Sequence, residues 1–162
     1  MDILLYNSDI MKEYKILDFS GVDFPFWSDR VIHLNDFPPH SHDFIELEII
    51  TGGSATHILD GNEYQLSRGA ILITLPHFVH ELQNVHKLEL YNFKFDVNKL
   101  ILLNRDIEKL SGFQSLFLFH PMQHFQQDFF NKVHLSDEQL KSVSMLSELV
   151  CSEFDSKNPG YK

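Results

Sequence analysis

The sequence predicts a mainly β domain, a sandwich or barrel, followed by an α-helical appendage. Between Arg30 and Phe95 short apolar or alternating runs recur with turn residues between them, the pattern of an all-β sandwich or barrel. After Phe95 the apolar period changes from that of a strand to that of a helix. The chain has 162 residues, 43% hydrophobic and 22% charged. That is enough for one domain with a substantial core and too apolar for disorder. Residues 1–95 read as the β domain, and 96–162 as the helical appendage with the start of a linker.

Residues 1–27 are weakly patterned, and Met1–Ile10 reads as an arm or a first strand. The β runs are Arg30–Leu34, Phe44–Ile50, Ala55–Leu59, Glu63–Leu66, Ala70–Leu75 and Lys87–Phe95. The expected breaks are Asp36–Pro39, Thr51–Gly53, Asp60–Asn62, Ser67–Gly69 and Pro76–His77. Asp60-Gly61 is a two-residue hairpin signal, because both residues tolerate positive φ. Asp96 can cap a helix with apolar positions Val97, Leu100, Ile101, Leu103, Ile107 and Leu110, stopped by Gly112. Gln114–Lys132 is aromatic-rich and without a clear period. Ser136–Gln139 reads as a capping box. Behind it Leu140, Val143, Leu146, Leu149, Val150 and Phe154 form an apolar stripe at helical spacing.

The net charge of −10 makes the chain a poor ligand for a phosphate backbone, so these residues are not expected to bind nucleic acid. The single cysteine, Cys151, allows no intramolecular disulfide and fits a reducing, cytoplasmic setting. In the predicted helix it reads as a small packed residue. No apolar run approaches the ~20 residues of a spanning helix, and the N-terminus carries no secretory pattern. No membrane partner is expected. No Gly-x-Ser-x-Gly nucleophile is present, and Gly52-Gly53 is followed by no Lys-Ser/Thr, so it is no phosphate loop.

Ten histidines invite a search for metal spacing. If the chain from His40 onward is a strand, side chains alternate faces. His40, His42, Glu46 and Glu48 then share one face, and Ile45, Leu47 and Ile49 the other. Two imidazoles and a carboxylate suit one divalent ion, Zn, Mn, Fe or Ni. The best fourth ligand is His80, after the run Ala70–Leu75, which an antiparallel barrel could bring opposite His42. His77 and His86 are rivals. A polar strand face is also what an ordinary solvent face looks like.

The spacing His40-x-His42-x₃-Glu46-x₆-Gly53 resembles the first conserved motif of cupins. Gly69-Ala-Ile-Leu-Ile-Thr-Leu-Pro76-x₃-His80-x₃-Asn84 resembles their second. Two departures stand out. Leu34 occupies the position where cupin enzymes carry a glycine, and Pro76-His-Phe-Val-His80 is one residue short and lacks a glycine. The order of features is similar to the N-terminal effector-binding and dimerisation domain of AraC-type transcription regulators, most closely over Val31–Phe95. The resemblance implies a cupin or jelly-roll β-barrel holding a small effector, commonly a sugar, with its histidines often kept without catalysis. It also implies a homodimer and DNA contact only through a helix-turn-helix module downstream of these residues.

Other candidates for the ligand pocket are Trp27, Arg30, His57 and Tyr91: aromatic surfaces, a guanidinium and polar groups placed for a barrel mouth. The stripe of the last helix can pack on its own domain. Alternatively Leu146, Leu149 and Val150 pair with the same helix of a second subunit. Two functions therefore compete. One is a non-enzymatic, dimeric sensor of a small molecule. The other is a standalone metal-dependent cupin enzyme, an oxygenase or isomerase, with His40, His42, Glu46 and His80 around the ion.

Overall fold

A computed structural model describes residues 12–20, 24–114, 117 and 133–160. The expected arm Met1–Ile10 and most of Gln114–Lys132 lie outside them. The strands are β1 (Lys12–Tyr14), β2 (Phe26–His33), β3 (Phe37–His42), β4 (Ile45–Leu59), β5 (Asn62–Ser67), β6 (Ile71–Thr74) and β7 (His80–Phe95). Helix α1 (Ile16–Ser20) follows β1. After β7 come α2 (Val97–Leu103), a 3-10 turn at Ile107–Lys109, α3 (Ser111–Phe113) and α4 (Asp137–Ser156). The domain is mainly β with a helical tail, as predicted.

The strand order is β1-β3-β7-β4-β5, with β2 also on β7 and β6 also on β4. Two long strands explain this branching. Ile45–Ile49 of β4 pairs with β6, while its far half pairs with β5. One end of β7 pairs with β2 and the other with β3. Both strands thus pass from one four-stranded layer (β2-β7-β4-β6) into a second layer (β1-β3-β7-β4-β5). This is a jelly-roll-like arrangement. No hydrogen-bonded ladder closes it into the complete barrel expected, among the described residues.

Gly52-Gly53 was expected to break the chain. Instead β4 runs through it, and the pairing with β7 shifts register three times between Ile50 and Thr56. These bulges bend the strand from one layer to the other. Gly53 has φ +71, and a Cβ there would lie 2.0 Å from the Lys87 carbonyl oxygen. Only glycine fits. The Asp60-Gly61 turn is the expected two-residue hairpin, with φ of 49 and 80 and Leu59 opposite Asn62. The expected break at Asp36–Pro39 is mostly strand. Pro38 and Pro39 lack N–H groups, and β3 pairs with β7 at Phe37 and His40, on either side of them.

Side chains sort by parity. Ile45, Leu47, Ile49, Phe93 and Phe95 face the helical side and pack with Val97, Leu100, Leu140 and Val143. Ile50, Leu72, Leu88 and Leu90 face inward and form the other core cluster with Leu82. Asp96 caps α2 as expected, accepting from Asn98 N and Lys99 N. The helix ends at Leu103, earlier than predicted. Asn104 Oδ1 accepts from Asp106 N, a local turn that competes with helix. Ser136 and Gln139 form the predicted capping box of α4. The predicted stripe of α4 is split. Leu140 and Cys151 are buried with Ser147, whereas Met145, Leu146 and Leu149 are 59–63% exposed and Val150 is 36% exposed.

Gly53→Ala is expected to cost roughly 2 kcal/mol or more, from a left-handed backbone and a backbone clash. The melting temperature should fall by about 5 °C. An unchanged melting temperature would show that the bulge tolerates a side chain.

Candidate functional site

The inner faces of the two layers enclose a cavity of about 170 Å³. Its lining comes from β2, β3, β4 and β7, with Tyr14 and Phe19 at one side. The polar lining is His33, His40, His42, Glu46, Glu48, His80, Asn92 and Lys94. All four residues expected to ligate a metal are there. His40 and His42 stand on β3 and Glu46 on β4, with a bend at Asp43-Phe44 rather than one continuous strand. The bend preserves the inward face. His80 opens β7 and is the cross-strand partner of His40, not of His42. The rivals lie elsewhere. His77 is exposed beside Glu13 Oε1 at 3.1 Å, and His86 is exposed on β7.

Backbone carbonyls fix two imidazoles. His40 Nδ1 lies 3.0 Å from the Pro38 carbonyl oxygen, and His42 Nδ1 lies 2.8 Å from that of Phe44. A carbonyl only accepts, so each Nδ1 carries the hydrogen and each Nε2 of a neutral ring keeps its lone pair. His80 Nδ1 meets His57 Nε2 at 3.1 Å. His57 is thus a fully buried neighbour behind His80, outside the cavity lining. His40, Glu46 and His80 bring ligand atoms within 4.8 Å of one another. His42 stands outside that group, with its Nε2 3.5 Å from Glu46 Oε2. The buried Nε2 atoms of His42 and His80 have no hydrogen-bond partner among the described residues. A borderline divalent cation fits such a donor set: neutral nitrogens, one carboxylate and an outer-shell histidine.

Burial sets the protonation states. It pulls His57 down to about 4 and His80 to about 2, and it lowers His40 and His33 as well. Burial also opposes ionisation of Glu46, but the adjacent His42, His80 and Lys94 outweigh it and hold Glu46 well below the usual carboxylate range. Asn92 Nδ2 donates to Glu46 Oε1 at 2.8 Å. Glu48 goes the other way, raised by burial and by Glu46 beside it. Lys94 Nζ is buried and reaches Asp29 Oδ1 at 3.2 Å.

The other expected pocket residues are placed differently. Arg30 and Tyr91 are cross-strand partners on the outer face of β2 and β7. Arg30 forks onto Glu148 with two contacts of 2.7 Å, and reaches Asp155 Oδ2 at 2.7 Å. Tyr91 donates to Glu148 Oε2 at 3.1 Å. Both residues hold α4 rather than line the cavity. Trp27 donates its Nε1–H to Asp29 Oδ2 at 3.2 Å and stands edge-on to Phe154 of α4. Conversely, Asn92 and Lys94 line the cavity without having been singled out. Alternation along Lys87–Phe95 was visible, but not which parity faced in.

Fold and site define a β domain with a small, polar, buried cavity between its layers, a ligand-binding class of architecture. The sequence profile described as AraC-like ligand binding domain matches residues 32–150. The chain belongs to that family. The HTH-type transcriptional activator RhaS of Yersinia pestis (strain Pestoides F) is 39% identical over 59 residues, covering 36% of this chain and 22% of that protein. RhaS of Yersinia pseudotuberculosis serotype O:1b matches equally. The match thus takes in about a fifth of these relatives' length. Solved structures include the plu4264 protein of Photorhabdus luminescens, with TM-score 0.43, 23% identity, and 56% of this chain and 79% of that one covered. A cupin-2 domain protein of Shewanella frigidimarina gives TM-score 0.41 and 15% identity, over 44% and 72%. No helix among the described residues is long and apolar enough to cross a membrane.

The pKa shifts predict a loss of stability on the acid side. Below the ordinary histidine value of 6.5, unfolded His57 and His80 bind protons that the folded state refuses, and His40 and His33 act in the same direction, so stability falls as pH drops. Glu48 has the opposite sign, since its carboxyl is raised by burial and by Glu46. The imidazoles outnumber that one carboxyl, so urea midpoints in chelator should fall between pH 6.5 and 4.5. A flat profile over that range contradicts these protonation states.

Proposed function

We propose that this domain is the effector-sensing part of an AraC-type transcription regulator, not an enzyme, and that the cavity between the layers takes a small polar effector, a sugar in our reading. The carrying observation is the set of buried polar atoms on cavity-lining residues without hydrogen-bond partners among the described residues: His42 Nε2, His80 Nε2 and Asn92 Oδ1. Such atoms are costly unless a ligand pairs them. DNA contact is assigned to a separate helix-turn-helix module, in keeping with the activator names of the relatives and with the net charge of −10 here. A cytoplasmic site of action accompanies this reading.

The route from cavity to helix follows strand parity. On β2, Asp29 holds the cavity residue Lys94, and its neighbour Arg30 holds α4. On β7, Asn92 lines the cavity and its neighbour Tyr91 bonds Glu148 of α4. Ligand contacts that favour one setting of these strands shift the population of α4 positions. The exposed Leu146, Leu149 and Val150 are assigned to a two-fold dimer contact.

A sugar panel in a thermal-shift assay tests the sensor. At a hundred times its Kd, one bound sugar adds about 2.7 kcal/mol and raises the melting temperature by about 5 °C or more. No shift from any sugar removes that class of effector. For the dimer, Leu149→Asp should give a folded monomer by light scattering. A persisting dimer places the interface elsewhere.

The metal reading has its own observation, the convergence of His40, Glu46 and His80. An ion held there, with His42, supplies a Lewis acid to whatever ligand enters. Calorimetric titration with Zn²⁺ should give one site per chain, weakened at least tenfold in Glu46→Gln. Heats no different in the variant remove the ion from this cluster.

A further inference from the structure

The two ends of α4 are built differently. At its first turn the capping box of Ser136 and Gln139 is joined by Asp137 and Glu138, acids where the helix dipole favours them. Leu140 and Val143 pack that half against Ile49, Phe93 and Leu135. The last turns, Cys151–Ser156, have no such support in their own sequence. Among them only Glu153 is a strong helix former. Glu153 and Asp155 put negative charge at the negative end of the dipole, and no basic residue stands in the last turn. Lys157, the nearest cation along the chain, is itself the C-cap, at φ 51 where glycine is favoured.

The missing cation comes from the sheet. Arg30 of β2 forks onto Glu148 through Nε and Nη2, at 2.7 Å each. Its Nη1 donates to Asp155 Oδ2 at 2.7 Å, and Nη2 to Ser152 Oγ at 3.0 Å. One guanidinium therefore ties three successive turns of the helix end together. An isolated exposed ion pair contributes little, but a bidentate guanidinium inside a network is the exception. Phe154 adds ring contacts with Phe24, Phe26 and Trp27. Between helix and sheet at this end lie only small buried side chains, Ser28, Ser147 and Cys151.

We propose that the last turns of α4, Cys151–Ser156, are an order–disorder element whose helical state depends on the Arg30 contact from β2. With the contact made, the borrowed cation offsets the acidic helix end and the turns are helical. With it broken, they unwind as far as the hydrocarbon-packed half of the helix, and the Cys151 thiol is uncovered. Arg30 is the chain neighbour of Asp29, which holds Lys94 in the cavity lining. The element thus stands where a movement of β2 reaches the end of the helix. It needs no ligand to operate, so it stands or falls separately from the effector reading.

Amide hydrogen exchange on the whole chain tests this. Arg30→Met keeps an unbranched apolar stem and removes the charge. Amides of Cys151–Ser156 should then exchange at least tenfold faster, about the effect of one lost hydrogen bond to a charged group. Alkylation of the Cys151 thiol should quicken by a similar factor, while amides of Val143–Ser147 stay within about threefold of the parent. Adding Glu153→Lys returns a cation to the helix end from within the helix, and should recover at least threefold of the loss. Glu148→Gln, which leaves β2 intact, should speed the same amides at least threefold, and it serves if Arg30→Met does not fold. Exchange at Cys151–Ser156 equal to the parent in these variants overturns the proposal, because the contacts of Phe154 then suffice. Faster exchange spread evenly from Leu140 to Ser156 overturns it too, since Arg30 would hold the whole helix and not its end. Fraying that Glu153→Lys leaves unchanged overturns its origin in charge.

Discussion

The Glu46 side chain is 8% exposed and ionised in the middle of a β layer. A buried charge survives only if it is paired and hydrogen-bonded. Two strands meet that demand. Asn92 and Lys94 come from β7, His42 from β3, and His80 from the start of β7 where it pairs with β3. The carboxylate thus fixes which face of each strand turns inward. It also fixes how β3 and β7 are placed across the cavity. His40 and His80 remain neutral because burial outweighs the attraction of one carboxylate. Their free lone pairs are a consequence of that balance.

The jelly-roll-like shape makes this arrangement possible. A flat layer would present the polar face to solvent, where neither pKa shifts nor unpaired atoms would arise. The bulges at Gly52-Gly53 carry β4 from one layer into the other, so that inward residues of both layers face a common space. The same alternation delivers the opposite parity to the helices. Ser28 and Arg30 face α4, with Cys151 buried beneath that helix. One backbone therefore serves the ligand on one side and the helix on the other.

Much of this was legible in the sequence, for a local reason. His40, His42, Glu46 and Glu48 keep one parity through the bend at Asp43-Phe44, so period two was enough to group them. Asp60-Gly61, Asp96 and Ser136 carry their turn and cap chemistry within a few residues. What was hidden depends on long-range register. Lys94 and Asn92 are far along the chain from Glu46, and only the pairing of β4 with β7 brings them together. Arg30 and Tyr91 have the right chemistry for a pocket but the wrong parity. The break expected at Gly52-Gly53 reflects a residue type shared by turns and bulges. The helix stripe was read as one surface, yet only Leu140 and the Cys151 side pack on the sheet.

The central claim is that the cavity presents bare acceptors to its ligand. Long-range ¹H–¹⁵N correlation of the imidazole nitrogens measures this without knowing the effector. Carbonyl contacts at Nδ1 predict a proton there on both His40 and His42, and the lowered value of His40 predicts a neutral ring with an unprotonated Nε2 at pH 7. Addition of the bound sugar should perturb the His40 Nε2 resonance. A proton found on His40 Nε2 at pH 7 would mean that the cavity offers a donor instead, and the central claim would fail.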